Sequence, residues 1–575
     1  MLGNEAIARG AWEAGARVVS SYPGTPSTEI TEAVARYPGI YAEWAANEKV
    51  GLEVAVGASL GGARAMSCMK HVGLNVAADP LYTAAYTGVN AGLLVVVADD
   101  PGMHSSQNEQ DSRFHARASM TPMLEPSDSQ ECLDFAKLAF ELSERYDTPV
   151  LLRTTTRIAH ARSPVTQGER AEFSGAPYKK DIQKNVMMPG MARGRHILVE
   201  KRMDALARDG ADMPINRLEM RDAKVGVVCS GIAYQYVREA LPGASTLKLG
   251  LVNPLPRALI ERFAAQVESL YVIEELEPVF EEQIASWGIR VTGKALTGRQ
   301  GELSVNAVRR AFGLPAPEFG TIDDLPARPP LLCPGCPHRG PFSVIQKLKL
   351  SAMGDIGCYT MAALPPLSAL DTSLCMGASV GMAQGMARAD AALAQKTVAV
   401  IGDSTFLHSG LPSLISAAYN GADLTLLILD NSTTAMTGHQ QNPATGLDLH
   451  GAPAAAKIDL EALCRAAGAS SVRTLDAYDL KGLEAALREE TARKGASVII
   501  ARRPCVLLDK KAKYTPYQVD PDRCRACGLC GRIGCPAIER RPDRKAWINP
   551  SPCVGCGLCA QLCPFSAIRK AGEQA

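Results

Sequence analysis

The chain runs to 575 residues with a net charge of +1, from 61 Lys and Arg against 60 Asp and Glu, and it carries 17 cysteines. That balance leaves no electrostatic footprint for a polyanion or a lipid surface, and no apolar run approaches the ~18 residues that cross a bilayer, so neither nucleic acid nor membrane is expected as a partner. Seventeen cysteines behind a start with no basic-then-apolar leader point to metal chemistry in a reducing compartment, the cytoplasm, rather than to disulfides.

Residues 1–165 read as an α/β domain. A helix over 4–14 precedes an apolar strand over 17–21 and the loop Tyr22-Pro23-Gly24-Thr25-Pro26-Ser27. Two prolines hold that loop's hydroxyls rigidly, which suits a binding site and equally a plain turn before a helix from Ser27. Glu48 opens an apolar helix (Val50, Val54, Ala55, Ala58) that runs into the small-residue segment 57–63. A carboxylate on such a face is normally avoided unless it is paired. A buried strand over 93–98 leads to the polar loop 105–113, where Arg113 reads as a solvated loop arginine or as a partner for a substrate carboxylate. An amphipathic helix over 130–145 and a strand over 149–153 complete the domain. Residues 166–222 are polar and irregular and read as a connector. A second α/β unit over 223–325 has its best strands at 225–229 and 270–275, shows nothing catalytic, and ends in a Pro/Ala-rich linker.

A third α/β domain spans 326–513. Its apolar runs over 397–401 and 424–429 predict buried parallel strands. Asp403 and Asn431 follow them directly, at the strand carboxyl ends where open α/β sheets bind ligands. A carboxylate, an amide oxygen and a nearby carbonyl, completed by diphosphate oxygens, form a hard-oxygen shell suited to Mg²⁺; an ordinary turn with a capping Asp is the alternative. Met376-Gly377-Ala378 begins a Gly-rich helix with bare backbone amides, suited to a diphosphate or simply to close packing.

The tail, 514–575, carries the strongest pattern. Cys524-x2-Cys527-x2-Cys530-x4-Cys535-Pro536 is followed by Cys553-x2-Cys556-x2-Cys559-x3-Cys563-Pro564. This is the two-cluster ferredoxin spacing, in which the fourth cysteine of each run ligates the other cluster. One [4Fe–4S] centre is therefore assigned to Cys524, Cys527, Cys530 and Cys563, and the other to Cys535, Cys553, Cys556 and Cys559. The first run has one residue more than usual before its last cysteine. Zinc-ribbon spacing does not fit. A further set, Cys333, Cys336, Cys358 and Cys505, can hold a third [4Fe–4S] cluster; a structural turn with buried thiols or a redox pair are the alternatives. Cys68, Cys132, Cys229, Cys375 and Cys464 read as inert core residues.

Gly402-Asp403-Ser404 followed by Asp430-Asn431 resembles the thiamine diphosphate motif, with Ser404 in place of its last Gly and Asp430 in place of its first Asn. Together with the cysteine tail and the segments at 3–10, 22–27, 69–75, 333–339, 354–359 and 375–379, it makes the chain resemble the large (alpha) subunits of the indolepyruvate:ferredoxin oxidoreductases, within the 2-oxoacid:ferredoxin oxidoreductase superfamily. The resemblance implies a multidomain α/β thiamine-diphosphate-binding fold. Its parts are a pyrimidine-type and a diphosphate-type doubly wound domain, a transketolase C-terminal-like middle domain, and a small α+β two-cluster ferredoxin domain. It implies Glu48 as partner of the aminopyrimidine and Thr25 as a substrate or cofactor contact. Asp403, Asn431 and the Thr433 carbonyl become Mg²⁺ ligands, with Gly402, Ser404, Met376, Gly377 and Ala378 beside the cofactor. The implied activity is oxidative decarboxylation of aryl 2-oxo acids, with coenzyme A as co-substrate, a small beta subunit in an α₂β₂ assembly, and ferredoxin as electron acceptor. Two alternatives stay open: another 2-oxo acid, or an electron-transfer subunit with an inactive thiamine fold. His71 and His338 fall in matching segments without an implied role, and a loop hydrogen bond is expected of each.

Overall fold

Strands covered on both faces must be apolar throughout, and runs of that kind form the centre of each part of the protein. The computed structural model describes residues 1–317, 325–326, 329–509, 511–512 and 514–573, and the chain divides near residue 322 into two units.

The first unit is built on a seven-stranded sheet in the order Leu251–Asn253, Met123–Leu124, Val150–Thr155, Leu93–Asp99, Ala65–Lys70, Val18–Ser21 and Tyr41–Trp44. All pairs are parallel except that of the edge strand Leu251–Asn253. Leu93–Asp99 and Val150–Thr155 are buried at every residue. The predicted amphipathic helix is Ser129–Tyr146, started by Asp128, whose carboxylate accepts the Glu131 N–H at 2.9 Å. A four-stranded sheet follows in the order Ser269–Ile273, Asp222–Ser230, Ala244–Leu249, Arg217–Glu219. One core joins the two sheets, with Val95, Val97 and Leu151 from the first and Val228, Leu247 and Val272 from the second.

Two readings of the sequence need correction here. The stretch 166–222 is not irregular throughout, because Pro189–Asp209 is a helix of 21 residues. Polar on most faces, it has no strong apolar stripe to betray it. It is tied down by Arg195 and Arg202, which donate to the carbonyls of Tyr86, Thr87 and Ala85. Arg113 is neither solvated nor available to a substrate. It is 1 % exposed, and its guanidinium pairs with Asp111 at 2.6 Å and with Glu274, from the far sheet, at 2.5 Å. Arg153 beside it holds Asp99 at 2.7 Å and Glu125 at 2.6 Å. Burial alone would raise the Asp111 carboxyl, yet Arg113 and Arg153 hold it down at about 2.

The second unit has a six-stranded, all-parallel sheet ordered Thr372–Ser373, Ser351–Gly354, Thr397–Gly402, Leu424–Asp430, Ala496–Arg502, Ser471–Asp476. Separate apolar cores cover its two faces, around Val398, Val400 and Leu427 on one and Ala399, Ile401 and Ile428 on the other. The tail adds two antiparallel ribbons, Tyr517–Val519 with Ile568–Lys570 and Ile538–Arg540 with Ala546–Ile548. Among the described residues no helix is long and apolar enough to cross a membrane.

Arg113→Met should leave Glu274 without its cation and Asp111 with only the more distant Arg153, and cost about 3–5 kcal/mol. In urea unfolding of the full chain its earliest transition should move to clearly lower concentration. Arg157→Met, which removes an exposed pair with Glu302, should change it by under about 1 kcal/mol.

Candidate functional site

Both large sheets deliver polar residues at their strand carboxyl ends. In the first unit, the loop after Val18–Ser21 carries Thr25. Asn4 fixes this loop by donating to the Pro26 carbonyl at 2.7 Å, and Ser27 Oγ donates to the Gly24 carbonyl at 2.7 Å. Glu48 is the first residue of the helix Glu48–Leu60, which Asn47 caps by accepting the Val50 N–H at 2.9 Å. Glu48 is 4 % exposed and its carboxylate lies against Gly73 of the short helix His71–Val76, where a Cβ would stand 2.6 Å from Oε1. Only glycine at 73 leaves the room that Glu48 occupies. His71 is buried, and the loop hydrogen bond expected of it is not made at normal geometry by either ring nitrogen, although the Asn108 backbone lies near. Burial holds its pKa below the ordinary imidazole value. Lys70, which the sequence did not single out, donates to the Ser105 carbonyl at 2.6 Å, and burial pulls it down to about 8.

In the second unit, Asp403 and Asn431 follow adjacent strands. Asp403 is 2 % exposed. Burial, with the charge of Asp430 adding to it, pushes its carboxyl up to about 7, while Asn442 donates to its Oδ2 at 3.2 Å. One terminal position of the Asn431 amide lies 2.8 Å from the Thr433 carbonyl oxygen and 3.2 Å from Asp403 Oδ1. With the NH₂ group there, the amide donates to both. With its oxygen there, three oxygens face one another and a cation is needed to reconcile them, which is the donor set a hard divalent ion takes. Asp430, where the motif has Asn, pairs with the half-exposed Arg502 at 2.7 Å, and Ser404 Oγ accepts from Thr434 Oγ1 at 3.0 Å.

The helix Ala378–Ala389 does not start with bare amides. Asp355 accepts the N–H groups of Gly377 at 2.8 Å and Ser379 at 3.0 Å, and the Ala378 N–H goes to the Cys375 carbonyl. The sequence reading missed Asp355 in this role, although it follows its strand, Ser351–Gly354, as Asp403 follows its own. Asn442 sits in a loop with no such signal.

The cysteines gather in three sets. Cys524, Cys527, Cys530 and Cys563 line one cavity, with Val519, Ile538 and Ile568 in its wall. Cys535, Cys553, Cys556 and Cys559 line another. Burial pushes the Cys530 thiol up, and Cys527, Cys563 and Cys524 push it further. Among the described residues no three His, Cys, Asp or Glu side chains close around a point where one ion could sit. Cys358 is pushed up to about 11 by burial and by Cys505 and Cys333, and Cys336 to about 12 by burial, with Cys333 and Cys358 adding. Each set gathers thiols whose thiolate forms repel one another, a repulsion that the positively charged iron–sulfide core of a cluster would offset in part. Of the five cysteines read as core, Cys68, Cys132, Cys229 and Cys464 are buried, but Cys375 is exposed. His338 is buried edge-on against Tyr359, and burial brings it down to about 4.

Comparison with known proteins adds to this geometry. Residues 9–224 match the family model described as "Pyruvate flavodoxin/ferredoxin oxidoreductase, thiamine diP-bdg", and residues 355–501 match "Thiamine pyrophosphate enzyme, C-terminal TPP binding domain". Residues 546–569 match a "4Fe-4S binding domain". The chain is 42% identical to the indolepyruvate oxidoreductase subunit IorA of Pyrococcus abyssi, over 100% of this chain and 97% of that one. It is 40% identical to the protein of the same name from Archaeoglobus fulgidus, over 99% and 97%. A shorter match, 32% identical over 30% of this chain and 48% of the relative, is to the 2-oxoglutarate synthase subunit KorA of Methanothermobacter thermautotrophicus.

Because the Asp403 carboxyl is raised to about 7, a proton competes with any cation for it. Divalent-cation affinity, measured by calorimetry on the full chain, should rise close to about tenfold per pH unit below neutrality and flatten above it. The cation-free chain should lose stability as pH rises towards 7, since the folded state then gives up a proton it holds more tightly than the unfolded state. Asp403→Asn should remove the first trend and lessen the second, to which the raised Glu275 also contributes.

Proposed function

The chain belongs to the family of the indolepyruvate oxidoreductase IorA subunits, thiamine-dependent 2-oxoacid:ferredoxin oxidoreductases, and from that premise we propose that it oxidatively decarboxylates aryl 2-oxo acids. Indolepyruvate, phenylpyruvate and 4-hydroxyphenylpyruvate would each give the aryl-acetyl-CoA and CO₂, with two electrons passed to ferredoxin. The aryl preference rests on the relatives' name. In this reading, residues 1–165 form the pyrimidine-type domain, 223–325 the transketolase C-terminal-like domain behind the connector 166–222, 326–513 the diphosphate domain and 514–575 the ferredoxin domain. A small beta subunit completes an α₂β₂ enzyme.

One hydrogen bond carries the oxidative part of the proposal: the Cys505 N–H donates to the Asn431 carbonyl at 2.9 Å. The candidate cation ligand and a member of the Cys333 set are thereby held side by side on adjacent strand ends. When bound, thiamine diphosphate supplies the electron sink for decarboxylation and the iron–sulfur centres accept the two electrons singly. The chain's own groups do the rest. Glu48 is held dry, with its carboxylate fixed across Gly73, to keep or give a proton at the aminopyrimidine. Thr25, on its pinned loop, orients the cofactor or the substrate. Asp403, Asn431 and the Thr433 carbonyl hold Mg²⁺, with Asn442 fixing the second Asp403 oxygen. Gly402, Ser404 and the turn Met376-Gly377-Ala378, braced by Asp355, lie beside the diphosphate. The two tail sets each hold a [4Fe–4S] cluster, and Cys333, Cys336, Cys358 and Cys505 hold a third nearer the thiamine.

Two measurements test this. Glu48→Gln should lower CoA-dependent methyl viologen reduction by indolepyruvate about 10²–10⁴-fold while iron content stays normal; wild-type activity would defeat the assignment. Cys333→Ala should lose roughly one cluster's iron, about four atoms of about twelve per chain. An unchanged count would remove the third cluster from the proposal.

A further inference from the structure

Arg339 is a buried cation whose carboxylate partner is missing: it is 2 % exposed, and among the described residues no acid pairs with it. Its Nε donates to the Cys333 carbonyl at 3.0 Å, one Nη to the Ile533 carbonyl at 3.0 Å and the other to the Leu332 carbonyl. Its backbone N–H donates to the Cys336 carbonyl at 3.2 Å. The guanidinium is wedged between two turns, one delivering Cys333 and Cys336 and the other delivering Cys535. A Cβ at Gly534 would lie 3.1 Å from Nη1. With Gly335, Arg339 also forms part of the wall of the cavity lined by Cys535, Cys553, Cys556 and Cys559. Burial alone draws its pKa below the ordinary guanidinium value, and the groups that oppose this are cysteines of both sets: Cys535, Cys336, Cys333 and Cys556.

Three carbonyls can be met by a neutral donor. A full charge is kept in such a place when an anion accompanies it. A [4Fe–4S] centre with four thiolates is anionic in both oxidation states and gains one more negative charge on reduction. A fixed cation beside it therefore favours the reduced form.

We propose that Arg339 is a positioning residue that acts as the shared counter-charge of two iron–sulfur centres, the Cys333 set and the Cys535 set. It raises their reduction potentials and keeps their turns adjacent for transfer. In that transfer one electron leaves the first centre and enters the second, and no bond or proton moves. The inference rests on the reading that both sets hold clusters.

The test is a potentiometric titration followed by electron paramagnetic resonance on the full chain, purified without oxygen, with iron and sulfide counted. Wild type is compared with Arg339→Gln and Arg339→Lys. Arg339→Gln is expected to keep its iron and to move at least one midpoint to more negative potential, with Arg339→Lys close to wild type. Unchanged midpoints in an iron-replete Arg339→Gln overturn the proposal. If Arg339→Gln cannot hold its clusters, Arg339→Lys decides. Retained clusters at wild-type potentials support a counter-charge, whereas lost clusters or shifted midpoints mean that the guanidinium's hydrogen bonds matter and its charge does not. A wild-type chain without iron would instead sink the cluster reading beneath the inference.

Discussion

Parallel strands can be joined only by crossovers, so every strand of the second unit's sheet ends at the same edge and its chain leaves there. Gly354, Gly402, Asp430 and Arg502 are the last residues of four adjacent strands. Asp355, Asp403, Asn431 and Cys505 follow within three residues of those ends. The strands themselves are buried almost throughout and admit little besides aliphatic side chains. The polar and sulfur-bearing residues that follow these strands are thereby gathered at one rim, where the Cys505 N–H donates to the Asn431 carbonyl.

Buried charge is handled in two opposite ways. Around Arg113 and Arg153 the acids Asp99, Asp111, Glu125 and Glu274 each meet a guanidinium inside the protein, so the network joins the two sheets of the first unit. At Asp403 the carboxyl is raised by burial and by Asp430, with amides as its near partners. Arg339 is a cation surrounded by carbonyls and cysteines. The first arrangement is structural. At Asp403 a proton or a cation can balance the charge, and a ligand that neutralises a buried charge also stabilises the fold that holds it.

Small residues set the distances in these places. Gly73 lets the Glu48 side chain lie across a neighbouring helix, and Gly534 lets the Arg339 guanidinium fill the space beside Cys535. A methyl group at 73 would displace the carboxylate it faces, whereas at 534 it would press on the guanidinium at 3.1 Å in a backbone conformation, φ +68°, that itself favours glycine.

Local and periodic features could be read from the residues alone. Apolar runs marked the strands that became Leu93–Asp99, Thr397–Gly402 and Leu424–Asp430, and the cysteine spacing defined the two groups of four that line separate cavities in the tail. Both signals lie within a few neighbouring residues, or within a repeat that constrains its own folding. The burial of Arg113 could not be read this way, because its partner Glu274 lies 161 residues away, just past a strand of another sheet. Nor could Asp355 be seen to take the amides at 377 and 379, the helix Pro189–Asp209 be recognised without an apolar stripe, or Arg339 be placed between Cys333 and Ile533. A charged side chain inside a protein is tolerated only through partners that folding brings to it. Its residue type and neighbours in the chain announce a solvated group, and the tertiary structure alone decides otherwise.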